Sequence, residues 1–154
     1  MVSKQRRTTI FLTGASTGIG RAVAVRLMSE GYEVWGTSRQ VEKLRDLPGL
    51  HPLRLDFAEP ESIDQAWEQA LAESGGMDVV IQNAGRGHWG SVEESSVAEA
   101  RRQWVDLVEG PLRLLQLAAA HMRLRRSGCI LGVTSLAAEL PIPFFPITAR
   151  VRRP

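Results

Sequence analysis

Thr13-Gly14-Ala15-Ser16-Thr17-Gly18-Ile19-Gly20 decides how this chain is read, because it separates two segments of different hydrophobic period. Before it, residues 8–12 form a short β-branched and apolar run, the pattern of a strand. After it, Ile19, Ala22, Val23 and Leu27 recur at three- and four-residue spacing, which predicts a helix ended by Gly31. A strand, a glycine-rich turn and a helix N-terminus in that order present free backbone N–H groups and a positive dipole end, the seat of a pyrophosphate. In that reading Gly14 makes the tight turn, Gly18 lets the backbone approach phosphate, and Gly20 lets helix pack on sheet. A plain glycine-rich turn is the alternative.

Outward from this turn, strand and helix patterns alternate. Residues 33–37 read as a second strand, 41–47 as a short helical segment, 53–55 as a third strand, 77–82 as a fourth and 129–133 as a fifth. Pro60 suits a first helical turn, and Ile63, Ala66, Trp67, Ala70 and Leu71 form the stripe of a helix that ends at Gly75-Gly76. Between 98 and 126 a long helix is predicted, with Trp104, Leu107, Val108, Leu112, Leu115, Ala118, Ala119 and Met122 on its apolar stripe. Pro111 has no N–H to give the Leu107 carbonyl, so this helix should kink there. Trp67 and Trp104 are expected in the core, and Cys129 as a small hydrophobe in a buried strand. The alternation predicts an α/β fold, a Rossmann-like doubly wound parallel sheet of about five strands with helices on both faces. One domain is expected over 1–154, with 151–154 as a tail; no repeat or linker divides it.

Composition narrows the partners. With 44% hydrophobic and 23% charged residues and a formal charge of +2, the chain fits a globular domain. Its arginines are scattered in short clusters such as 101–102 and 123–126, read as solvated surface, so nucleic acid is not expected as a partner. A single cysteine excludes a disulfide framework and a multi-thiolate metal site, and suits a reducing cytoplasm. Apolar runs are too short for a membrane span or a signal-peptide core.

The spacing T-G-x-x-x-G-x-G at 13–20 resembles that of the short-chain dehydrogenase/reductase family, and the resemblance continues through Asp56, Asn83-Ala84-Gly85, Gly110 and Thr134-Ser135. A different Rossmann enzyme, such as an epimerase or methyltransferase, fits the loop spacing and Ser135 less well. The resemblance implies a nicotinamide dinucleotide held by Gly14, Ser16, Gly18, Ile19 and Gly20 at the phosphates and nearby ribose. It gives Asp56 to the adenine, and Asn83, Ala84 and Gly85 to the floor under the nicotinamide ribose. Asp56 also suits turn capping, and Asn83 suits satisfying strand-end backbone groups. After the second strand, a carboxylate would bind the ribose 2′-hydroxyl, whereas this chain has Ser38-Arg39. Arg39 can pair a phosphate bidentately, which favours NADP(H) over NAD(H); a surface arginine is the alternative. Residues 86–90 and 110–112 look most like family members acting on hydroxysteroids, retinoids and other apolar alcohols or ketones.

By the same resemblance Ser135 is the catalytic serine that hydrogen-bonds the substrate oxygen. The family's Tyr falls about a dozen residues further on, with Lys four beyond it, a spacing that lands on Thr148. The only tyrosine is Tyr32, and the only lysines are Lys4 and Lys43. An aliphatic hydroxyl is a far weaker acid than a phenol of pKa about 10. Leu107 stands where the family has an Asn. The chain is therefore expected to end before the Tyr-x-x-x-Lys motif, as a truncated or frame-disrupted member impaired in turnover, leaving its fifth strand an exposed apolar edge. The alternative function is a non-catalytic dinucleotide-binding module or partner subunit, with a homo-oligomer formed through the long helix. His88, without a placed partner, is read as a rim residue.

Overall fold

The computed structural model describes residues 7–136. Five parallel strands, β1 (Thr9–Leu12), β2 (Glu33–Ser38), β3 (His51–Arg54), β4 (Val79–Gln82) and β5 (Cys129–Gly132), form one sheet in the order β3-β2-β1-β4-β5. The helices are α1 (Gly18–Ser29), α2 (Pro60–Ser74), α3 (Val97–Trp104) and α4 (Gly110–Arg125), with a 3-10 turn at Val41–Leu44. The chain steps outward from β1 to β2 and β3, then returns to the other side of β1 as β4. That reversal between β1 and β4 is the topological switch point where doubly wound sheets bind ligands.

Alternation along the strands divides the core between two layers. Phe11, Trp35 and Val80 face α2 and α4, packing with Ile63, Trp67, Ala70, Leu114 and Ala118. Ile10, Leu12, Val34 and Ile81 face the opposite way, onto Ala24 of α1 and Leu44 beside it. Each fully buried side chain of this size contributes about 1.5–3 kcal/mol. Sequence periodicity thus gave the right layers, with α2 on its expected stripe, and Trp67 is 3% exposed as expected.

Several positions depart from expectation. In α1 the buried face runs through Gly20 and Ala24, while Ile19 is 66% exposed. The glycine is what lets the helix lie so close to the sheet, and it shifts the contact face by one residue. Trp104 is 49% exposed and Gln103 is buried in its stead. The long helix is not continuous: a π-helical turn, Val105–Glu109, joins α3 to α4. The sequence predicted an interruption from Pro111, but a π turn also inserts angular phase, so one stripe cannot serve both halves. Leu112 is exposed for the same reason and Leu114 is buried. Cys129 is exposed, as is all of β5. It occupies the sheet edge beyond α1 and α2, so the expectation of a buried thiol fails and that of an exposed apolar edge holds.

Arg125, expected as solvated surface, instead ties α4 to the strand N-termini. Its Nη1 donates to the Met77 carbonyl at 2.8 Å and its Nη2 to Asp78 Oδ1 at 2.8 Å. Asp78 Oδ2 accepts the Thr9 N–H at 3.0 Å, and Thr9 is buried. Asp78→Ala should therefore orphan a buried amide and cost about 2 kcal/mol. Urea unfolding would read this as a lower midpoint at unchanged slope; a change below about 0.5 kcal/mol would show the staple to be idle.

Candidate functional site: a glycine turn at the sheet switch point

The glycine turn is fixed by hydrogen bonds to both neighbouring strands. The Thr13 N–H donates to the Ile81 carbonyl at 3.0 Å, and the Ala15 N–H to the Thr37 carbonyl at 2.9 Å. Thr13 Oγ1 accepts from the N–H groups of Asn83 and Ala84, at 3.0 and 2.9 Å. In return Asn83 Nδ2 donates to the carbonyls of Thr13 and Gly14, at 3.1 and 3.4 Å. Gly14 holds φ +72°, a left-handed conformation that costs a side-chain-bearing residue roughly 1–3 kcal/mol. A Cβ on Gly20 would overlap the Gly14 carbonyl and stand 2.5 Å from Asn83 Nδ2. The turn therefore packs backbone against backbone.

Helix α1 begins directly after this turn. Its cap residue Thr17 makes no side-chain cap bond, so the amides of the first turn have no partner within the helix or from its cap. Beside them opens a cleft of about 620 Å³ at the C-terminal ends of the strands. Of the residues singled out in the sequence, Gly14, Ser16, Ser38, Arg39, Asp56, Ala84 and Gly85 line it. Gly18 and Ile19 belong to the adjoining first turn of α1, while Gly20 and Asn83 lie behind the turn and hold its shape. Ser135 follows β5, two strands from β1, and is not among the cleft's lining residues.

Local bonding gives several of these residues a second task. Ser38 Oγ donates to Ser16 Oγ at 3.2 Å and accepts the Gln40 N–H at 3.1 Å, tying the end of β2 to the glycine turn. Asp56 Oδ1 accepts the Ala58 N–H at 3.0 Å, so it does cap a turn while also facing the cleft. Asn83 likewise satisfies backbone groups, as its alternative reading held. His88 Nε2 lies 3.1 Å from Ser95 Oγ, and its Nδ1 lies 3.8 Å from Glu99 Oε1. The Ser96 hydroxyl and amide hold the Glu99 carboxyl below its usual range. His88 thus braces its loop against α3.

Sequence reasoning missed Thr13 and Thr37, which anchor the turn, and Lys43 and the Arg86–Asp106 pair, which line the cleft. Arg86 Nε lies 2.6 Å from Asp106 Oδ2. Thr13 carried a signal, being the first letter of the glycine motif. Lys43 carried one too, four residues past Arg39 in a helical segment. Nothing in sequence joined Arg86 to Asp106. Among the described residues no cluster of His, Cys, Asp or Glu could hold a metal, and no helix is long and apolar enough to cross a membrane.

Known proteins share this arrangement. A dehydrogenase from Streptomyces avermitilis superposes with a TM-score of 0.91 at 32% identity, over 97% of this chain and 57% of that one. A metagenomic short-chain oxidoreductase solved in complex with NADP superposes at 0.87 with 30% identity, over 94% of this chain and 70% of that one. The 3-ketodihydrosphingosine reductase of Bacteroides thetaiotaomicron is 33% identical over 88% of this chain and 49% of its own length. The mouse 17-beta-hydroxysteroid dehydrogenase type 1 is 32% identical over 91% of this chain and 44% of its own. The chain therefore spans about half the length of the curated relatives it matches. The short chain dehydrogenase family model matches residues 8–147, and with the glycine turn, the Asn83 brace and the cleft between β1 and β4, this chain belongs to that family of oxidoreductases.

Proposed function

We propose that this chain seats NADP(H) in preference to NAD(H), as the dinucleotide-binding part of an oxidoreductase acting on an apolar alcohol or ketone in the cytoplasm. The observation that carries this reading is the cleft at the switch point, bordered by the Gly14 turn and lined by Ser38 and Arg39, with no carboxylate directly after β2. The residues fit the group: uncapped α1 amides suit a diphosphate, and Arg39 suits a 2′-phosphate. Asp56 suits the amino edge of an adenine, and Ala84 and Gly85 offer a wall without bulk. When bound, a nicotinamide dinucleotide supplies hydride transfer. The substrate class draws support from relatives named for a ketosphingoid and a hydroxysteroid.

The chain's own residues supply binding rather than proton transfer. Ser135 offers a hydroxyl that can hydrogen-bond a substrate oxygen. Tyr32 cannot serve as the acid: it precedes β2, at the strand N-termini, whereas the cleft opens at the C-terminal ends. Losing one positioned acid or base costs about 10²–10⁴ in rate. We therefore expect these 154 residues to bind NADPH and to turn over no ketone. A non-catalytic module pairing through α4 is the second reading, favoured by Leu112 and Leu124, 53% and 87% exposed.

Fluorescence titration with NADPH, followed by a turnover assay on ketones, tests both parts. Saturable binding without turnover is the expected result. Hydride transfer by this chain alone would overturn the inactive assignment, and an NADPH titration without response would overturn the seat itself.

A further inference from the structure

The cleft has two ends, because β1 lies between β2 and β4. A dinucleotide whose diphosphate meets the first turn of α1 lays one half over the β2 end, beside Ser38 and Arg39, and the other over the β4 end, beside Ala84 and Gly85. At the β4 end the chain is held as far as Ala84, whose N–H donates to Thr13 Oγ1 at 2.9 Å. The strand itself stops at Gln82, and Gly85 lies beyond it in the loop. The next anchor is Arg86, whose Nε lies 2.6 Å from Asp106 Oδ2, and both residues line the cleft.

Asp106 stands on a firm base. It belongs to the π turn Val105–Glu109, and the Gly110 that follows is packed so closely that a Cβ there would overlap Phe57. Pro111 and Leu114 are buried behind it. The Asp106 side chain is 14% exposed, whereas the carboxylates of the other ion pairs among the described residues are 23% exposed or more. A fully exposed pair contributes little, but one shielded from solvent is screened far less and holds its geometry. Arg86 itself stands between Gly85 and Gly87, so its side chain, more than its pliable backbone, fixes where this stretch runs.

We infer that Asp106 is a positioning residue for the nicotinamide half of the dinucleotide: through Arg86 it sets where the Gly85 backbone stands at the β4 end of the cleft. The inference rests on the reading of the cleft as a dinucleotide seat, not on the choice of NADP(H) over NAD(H), and adds to it a residue far from the glycine turn in sequence. A ligand that meets a wall already in place loses no affinity to ordering it. Without the ion pair, ordering of the loop falls on the binding step. The adenosine half, seated over the β2 end, does not feel that change.

Calorimetric titration of the full chain with NADPH, NADH and ADP tests this, because ADP carries the adenosine and diphosphate but no nicotinamide riboside. Asp106→Asn keeps the side-chain shape, removes its charge and leaves no buried ion unpaired. It should weaken NADPH and NADH binding roughly tenfold, about 1.4 kcal/mol, and leave ADP binding within about twofold. Adding Arg86→Gln to Asp106→Asn should cost little more, since the two side chains act as one unit. Unchanged NADPH affinity in Asp106→Asn would overturn the inference, and so would an equal loss for ADP, which marks a general structural role. Tighter binding of all three ligands would show that Asp106 withholds Arg86 from the phosphates, and would overturn it as well. If the unaltered chain binds NADPH no more tightly than ADP, the inference fails and the adenosine seat stands. If it binds none of the three, the dinucleotide reading fails and the inference with it.

Discussion

Gly20→Ala is expected to abolish NADPH binding and to lower stability by about 2 kcal/mol, through two opposed effects. Alanine in a helix gains about 1 kcal/mol over glycine. Against this, its Cβ would overlap the Gly14 carbonyl and approach Asn83 Nδ2 at 2.5 Å. Overpacking costs about 1–3 kcal/mol and more where the neighbour cannot yield. Here the neighbour is main chain, held on one side by Asn83 and on the other by Thr37, so the repulsive effect wins. Relief requires α1 to move away from the turn, and that takes its first-turn amides from the cleft. Gly132→Ala is the control, since no atom lies within 4 Å of a Cβ there. NADPH titration and urea unfolding of both variants check the claim; wild-type affinity in Gly20→Ala would show that the close approach does not shape the seat.

How much of this was legible in sequence depended on the range of each interaction. The glycine turn, α2 and the parallel order came from local spacing, which a single helix or strand enforces on its own residues. Trp104 failed because the π turn at 105–109 resets the phase of burial, and Pro111 marks only that a break occurs. Cys129 failed because burial of a strand is decided by what packs on its faces, which its own apolar run cannot state. Ser16 was singled out by the glycine pattern and Ser38-Arg39 by their place after the second strand, two local signals, and all three line the cleft. The Arg86–Asp106 pair joins a loop to a helix twenty residues away, so only the packed structure brings the charges together. Lys43 lines the cleft from the 3-10 turn Val41–Leu44, whose Leu44 is buried in the core, a placement that spacing alone does not give.

Thr13→Val should cost about 2–6 kcal/mol and detach one wall of the cleft, although the two side chains have nearly the same shape. The threonine hydroxyl accepts two backbone amides, from Asn83 and Ala84, where β4 ends. Thr13 is fully buried, so water cannot take over when the oxygen is lost. Each orphaned donor costs about 1–3 kcal/mol, which sets the range. The strand pairing itself survives, because the Thr13 N–H still donates to the Ile81 carbonyl. Thr13→Ser keeps the acceptor and loses only a buried methyl, about 1 kcal/mol. Urea midpoints at unchanged slope would separate the two variants, and NADPH affinity should follow the same order, because Ala84 and Gly85 line the cleft just beyond the lost bonds. Equal midpoints for valine and serine would show that the hydroxyl does not hold the glycine turn to β4, and the seat would then depend on Asn83 alone.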